Sequence, residues 1–163
     1  MKCMNVPLRA WFATLGLGCL GLVAVGMELQ NLLRLSPCPL CIFQRLLYIV
    51  IGGVGVLGFL LPQAQRLWSV LVMGLGSFGF AVAAYQTWMQ AFPELAKECS
   101  YTDPNLIERL VDWLGMLVPS WFMATGFCTS REWEIFGLSM ANWSMMIFAG
   151  IVAYGILLFK YKH

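Results

Sequence analysis

The sequence predicts an all-α membrane protein, a four-helix transmembrane bundle in which a long loop on the non-cytoplasmic face carries a short interfacial helix. Three observations predict it. Hydrophobic residues make up 60% of the 163-residue chain and charged residues only 11%, with a mean hydropathy of +0.76, far from the composition of an ordinary soluble domain. Apolar runs long enough for a hydrocarbon core of ~30 Å occur at residues 11–27, 40–61, 67–88 and 143–159. Outside these runs the basic residues Lys2, Arg9, Arg66, Lys160 and Lys162 fall on one side of the membrane if the runs cross it in alternation, against Arg34, Lys97, Arg109 and Arg131 on the other, the last three within the acid-rich loop.

Run 11–27 follows Lys2 and Arg9, and Ala24-Val25-Gly26 resembles a signal-peptide cleavage site. A secretory apolar core is usually only ~7–15 residues long, however, and losing the run would spoil the alternation of charge, so it is read as a span. Runs 40–61 and 67–88 are joined by "PQAQR", too short for more than a turn, which makes them antiparallel neighbours. Run 143–159 is short but anchored by Trp143 at one end and by Lys160, Tyr161 and Lys162 at the other. Glycines such as Gly16, Gly52, Gly55, Gly76 and Gly79 lie inside the runs, where small residues let membrane helices approach. The whole chain, 1–163, reads as one membrane domain.

Both termini are then cytoplasmic, with loops 28–39 and 89–142 on the opposite face. Seven of the eight acids (Glu94, Glu98, Asp103, Glu108, Asp112, Glu132 and Glu134) lie in the second loop. No basic patch has the density that nucleic-acid binding needs, which excludes that class of partner. Loops as long as 89–142 tend to be functional. Asp103-Pro104 there reads as an N-cap followed by proline at the first helical position. Leu106, Ile107, Leu110, Val111, Leu114, Leu117 and Val118 keep helical spacing, with Glu108, Arg109 and Asp112 on the other side and Trp113 and Trp121 flanking. Such a helix either lies in the membrane interface or packs on top of the bundle.

Topology sorts the six cysteines. Cys3 is cytoplasmic and Cys19 mid-membrane, and both read as small apolar residues. Cys38, Cys41, Cys99 and Cys128 face the compartment in which disulfides persist. Cys38-Pro39-Leu40-Cys41 has the spacing of a redox-active dithiol at a helix N-terminus, a place that favours thiolate. A CxxC can also be half of a zinc site. That would require Cys99 and Cys128 as the other ligands, yet these are far apart in sequence and no histidine lies on this face, so no metal is expected. Cys99 and Cys128 can form a structural staple across the loop, or a second redox pair that relays electrons from a soluble thiol protein.

Arg45 sharpens the redox reading. It follows Cys41 by four residues, so Cys38, Cys41 and Arg45 share one helix face. A permanent cation inside a membrane helix costs ~2.5–3.5 kcal/mol even on the lenient insertion scale. Either Arg45 reaches a lipid phosphate or a helix carbonyl, or it stabilises a Cys41 thiolate or an anionic, reduced cofactor beside it. A lipid-soluble acceptor suits that depth.

At this point the sequence resembles the bacterial DsbB family, disulfide bond formation protein B. The resemblance rests on four spans, "PCPLCIFQR" at the second, "YQTWMQ" closing the third and "GFCTSREWEIFGLSMANW" leading into the fourth. It implies an inner-membrane, multi-pass protein-dithiol:quinone oxidoreductase that reoxidises a periplasmic DsbA-like thiol protein. Carried over by position, it implies that the partner attacks Cys99 of a Cys99/Cys128 disulfide, that Cys128 then attacks Cys38, and that Cys41 delivers electrons to ubiquinone, with menaquinone the alternative. Arg45 would orient the ring and stabilise the charge-transfer state, and Met140 would line the same pocket. Two positions depart from the family pattern: Gln44 stands where an acid is common, and Thr87 where a histidine near the quinone can occur. The only histidine is His163, so protons would need another route, such as water. A vitamin K epoxide reductase-type oxidant would carry its CxxC late in the chain, and a non-catalytic scaffold would lose nothing when Cys41 is replaced.

Overall fold

The computed structural model describes residues 8–94, 105–131 and 134–160. Four long helices form the bundle: α1 (Leu8–Leu33), α2 (Pro39–Leu60), α3 (Gln65–Ala91) and α6 (Met140–Lys160). Each is long and apolar enough to cross a bilayer. Between α3 and α6 lie α4 (Leu106–Leu117), the single turn α5 (Pro119–Phe122), and two short strands, β1 (Glu134–Ile135) and β2 (Leu138–Ser139).

Except for α2, which matches its apolar run in length, the long helices outrun the stretches that announce them. The clearest case is α1, which continues through Glu28, Gln30 and Asn31 to Leu33, so that the expected loop 28–39 shrinks to residues 34–38. Hydropathy marks where a side chain would leave hydrocarbon, whereas the i to i−4 hydrogen bonds continue until the backbone turns. Arg34, with φ of 51°, makes that turn.

Packing pairs α1 with α2 and α3 with α6, and α2 also packs against α3. At the first seam a Cβ on Gly55 would come within 2.8 Å of the Gly16 backbone nitrogen, so the two backbones touch with no side chain between them. Phe12, Ile51, Val72 and Phe148 are wholly buried, while Leu17, Leu32 and Leu157 point outward. An apolar exterior of this kind belongs to a protein whose solvent is lipid. The bundle closes between α1 and α6 at one end, where the Tyr154 hydroxyl donates to the Trp11 carbonyl at 2.9 Å and lies 2.7 Å from Thr14 Oγ1. Towards the other end these two helices line opposite sides of a cavity.

The helix expected from Asp103-Pro104 begins at Leu106; its N-cap is Asn105, and Asp103 and Pro104 lie outside the described residues. Asn105 and Glu108 form a capping box, in which the Asn105 N–H donates to Glu108 Oε2 at 2.7 Å. Glu108 is therefore buried rather than part of an outward polar face. Val111 is buried and Ile107 and Leu114 are partly buried against the core, while Leu106, Trp113, Met116 and Leu117 stay exposed. The helix thus packs on the bundle through one apolar stripe and shows another outward. The β1–β2 hairpin pairs Glu134 with Ser139 and turns at Phe136 and Gly137, both with positive φ; the sequence reading did not anticipate it.

Candidate active site

The site is built at the N-terminus of α2. Cys38 is the N-cap, with extended backbone, and Pro39 takes the first helical position, where a missing N–H costs nothing. The Cys38 sulfur accepts from the Cys41 N–H at 3.4 Å, replacing the usual oxygen cap. One helical turn brings the Cys41 sulfur to 3.2 Å from that of Cys38, and the Cys38 S–H donates to it. A small displacement separates this contact from a disulfide bond of ~2.05 Å.

A second donor reaches Cys41 from α3. Gln86 Nε2 lies 3.0 Å from the Cys41 sulfur and 3.3 Å from that of Cys38. Its Oε1 accepts from Gln44 Nε2 at 2.8 Å, and both amides are buried. A buried amide pair of this kind is worthwhile only when its groups are partnered, and here its outer end is a sulfur. Donors therefore reach both sulfurs, the Cys41 N–H and the Gln86 amide at Cys38 and the Cys38 thiol and the Gln86 amide at Cys41. Gln86 was missed from the sequence, although Gln86 and Gln90 stand four apart, and so on one face, in an otherwise apolar span. Thr87, one residue on, does not line the cavity.

The segment preceding the fourth span brings a third cysteine. The N–H groups of Thr125 and Gly126 both donate to the carbonyl of Pro37, at 3.0 and 3.1 Å. A methyl group on Gly126 would be driven into the Ser36 carbonyl oxygen, so only glycine allows this approach. Gln90 secures the far side: its Nε2 donates to the Ser130 carbonyl at 3.2 Å, its Oε1 accepts from Ser139 Oγ at 2.6 Å, and its own carbonyl accepts from Arg131 at 3.0 Å. Cys128, buried between these anchors, comes within hydrogen-bonding reach of the Cys38 thiol. The contacts with Cys128 and then with Cys41, reinforced by burial, hold the Cys38 thiol well above the ordinary thiol range. Cys38, Cys41 and Cys128 thus meet in one place; Cys99 lies outside the described residues.

Arg45 follows on the same face of α2. It donates through Nη1 to the Trp121 carbonyl at 2.7 Å and through Nη2 to Gln30 Oε1 at 2.5 Å, tying α2 to α5 and α1. Reaching a carbonyl is the structural role anticipated for it, yet Arg45 also lines the cavity with Cys38 and Cys41, and its charge acts on the Cys41 sulfur. Two bonds leave further guanidinium N–H groups for other partners. The cavity holds about 280 Å³. Met140, the first residue of α6, lines it, as do Gln44, Gln86, Tyr48 and Ser144. Apolar side chains of α1 and α6 make most of the remaining wall, and Val25 among them is largely exposed, so the cavity opens sideways.

Residues 8–158 match the family model described as "Disulfide bond formation protein DsbB". The chain is 75% identical to disulfide bond formation protein B of Dechloromonas aromatica (strain RCB), over 99% of this chain and 98% of the relative. It is 35% identical to the protein of the same description from Nitrosomonas eutropha, over 94% and 96% of the two chains, and 32% identical to that from Aromatoleum aromaticum, over 99% and 98%.

Proposed function

Because the chain belongs to the DsbB family, multi-pass membrane oxidoreductases of disulfide bond formation, we propose that it is a protein-dithiol:quinone oxidoreductase. It reoxidises a periplasmic DsbA-like thiol protein and sends the electrons through two cysteine pairs to ubiquinone or menaquinone. It sits in the bacterial inner membrane with both termini cytoplasmic, which turns the Cys38 end of the bundle to the periplasm. The observation that carries the proposal is the meeting of Cys128 with the Cys38–Cys41 pair beside a cavity that also holds Arg45.

The steps follow from the positions. A partner thiolate attacks Cys99, breaks a Cys99–Cys128 disulfide and forms a mixed disulfide, leaving Cys128 as thiolate. Cys128 attacks its neighbour Cys38, the Cys38–Cys41 bond breaks, a Cys38–Cys128 bond forms and Cys41 leaves as thiolate. The direction has a chemical reason. Exchange is faster when the leaving sulfur holds its charge well; once Cys38 is bonded to Cys128 it has no S–H to give, but the Gln86 amide lies 3.0 Å from the Cys41 sulfur and Arg45 shares its cavity. The partner's second thiolate then resolves the mixed disulfide and releases Cys99, which attacks Cys128 and restores the loop pair. Over a full cycle one partner dithiol becomes a disulfide, while two electrons and two protons leave through Cys41 and Cys38.

The donor set suits a quinone. A flat apolar ring with polar oxygens needs apolar walls, a few convergent donors and access from lipid; Arg45, Gln86 and the sideways opening supply these. When bound, a quinone supplies a two-electron acceptor. Arg45 would anchor a ring oxygen, Cys41 would deliver the electron pair, and Met140 would close the wall.

The test mixes purified protein with reduced DsbA-like protein and quinone and follows quinone absorbance. Quinone reduction is expected, lost in Cys99→Ala and in Cys41→Ala, and with a raised apparent KM in Arg45→Ala. Absence of reduction by folded wild-type protein would overturn the proposal. An unchanged KM would leave Arg45 only its structural bonds to Trp121 and Gln30.

A further inference from the structure

Two polar side chains in the cavity take no part in the exchange steps. Tyr48 of α2 and Ser144 of α6 are both buried and both line the cavity, and along α2 Tyr48 lies beyond Arg45 from the cysteines. Their hydroxyl oxygens lie 2.9 Å apart, and the Tyr48 hydroxyl lies 3.4 Å from the Ser144 carbonyl oxygen. The pair carries two hydroxyl protons, and one is consumed between them. If serine donates to tyrosine, the phenol proton is left with a carbonyl beyond the usual O–H···O range. If tyrosine donates to serine, the serine proton has no acceptor among the described residues. In either arrangement one O–H lacks a good partner, a poor investment for a buried donor unless something in the cavity accepts from it.

The pair is held in place. The Tyr48 ring stacks on Phe148, with centroids 4.4 Å apart and planes 4° apart, and Phe148 is itself wholly buried against Gly79. Cys41, Arg45 and Tyr48 follow one another at positions i, i+4 and i+7, along one face of α2. With a rise of ~1.5 Å per residue, Tyr48 lies roughly 4.5 Å beyond Arg45 along the axis. That separation is of the order of the span of a six-membered ring bearing oxygens at opposite positions.

We propose that the Tyr48–Ser144 hydroxyl pair binds the ring oxygen remote from the cysteines, making this cavity selective for acceptors with oxygens at both ends of the ring. The inference rests on the reading above in which a quinone occupies the cavity. A hydroxyl both donates and accepts, so the pair holds that oxygen whether it is a carbonyl or, after reduction, a hydroxyl.

The experiment is equilibrium binding of a ubiquinone with a short saturated tail to the purified full chain, read by quenching of tryptophan fluorescence. Infrared difference spectra with each ring carbonyl separately ¹³C-labelled provide a second readout. Tyr48→Phe keeps the ring and its stack on Phe148 but removes the hydroxyl. It is expected to weaken binding ~2- to 10-fold, the worth of one hydrogen bond between neutral groups, and to raise the stretching frequency of one carbonyl while leaving the other unmoved. Ser144→Ala is expected to shift the same band. Wild-type affinity and unshifted bands in both variants would overturn the proposed anchor while leaving the quinone reading intact. Absence of binding by the wild type would overturn both.

Discussion

At the scale of single residues the chemistry is set by what touches each sulfur. Cys38 and Cys41 are three apart in sequence, yet their thiols differ: the Cys38 S–H donates to Cys41 while its sulfur also accepts from the Cys41 N–H and the Gln86 amide, and the Cys41 sulfur accepts from Cys38 and Gln86. Since the Cys38 value is raised, its thiolate is scarce at neutral pH and becomes abundant only above the ordinary thiol range. Alkylation of reduced protein by iodoacetamide should therefore be slow at Cys38 near pH 8 and rise only at higher pH, because the rate follows the thiolate fraction. Cys128→Ala removes the largest raising influence, so its alkylation profile should move to lower pH. Peptide mass spectrometry across a pH series measures both, and coincident profiles would refute the contact with Cys128. CxxC spacing and its helix-end position were legible in the sequence, as was the presence of Arg45 on the same face. The Gln44–Gln86 bond was not legible, because it joins residues forty-two apart whose meeting depends on how α2 and α3 pack.

Individual elements position those residues. The Thr125–Gly126 segment hangs on the Pro37 carbonyl, and this backbone contact, together with the Gln90 bonds to Ser130 and Arg131, brackets Cys128 beside Cys38. Gly126→Ala should push the segment off Ser36, with overpacking strain of ~1–3 kcal/mol, and slow formation of the Cys38–Cys128 bond by roughly tenfold or more. Acid-quenched time courses with disulfide mapping test this, and an unchanged rate would show that Cys128 is placed by other contacts. The amphipathic spacing of α4 announced a helix; the capping box of Asn105 with Glu108 was not read, because it depends on the backbone bond from the Asn105 N–H to the Glu108 carboxylate. The extra turns of α1 escaped a hydropathy reading for a related reason: a helix persists on backbone hydrogen bonds after its side chains turn polar.

For the whole molecule the proposed orientation is the remaining premise. Arg9, Arg66 and Lys160 lie at the end of the bundle opposite the cysteines, and basic residues are retained on the cytoplasmic side. In a background with the native cysteines replaced by serine, Met116→Cys should react in intact cells with a membrane-impermeant maleimide and Gln63→Cys should not. Both positions are exposed, so the reverse labelling would invert the topology. Four spans, the charge asymmetry and the four candidate redox cysteines were all present in the sequence, because span length, charge and residue type are local properties of the chain. Tertiary structure decided that Cys128 lies against Cys38, that Gln86 donates to Cys41, and that Arg45 divides its bonds between α1 and α5 while lining the cavity. Each of these depends on which helices lie side by side and in what rotation, and that is settled by close backbone approaches such as Gly55 on Gly16, which leave no trace in the periodicity of either helix alone.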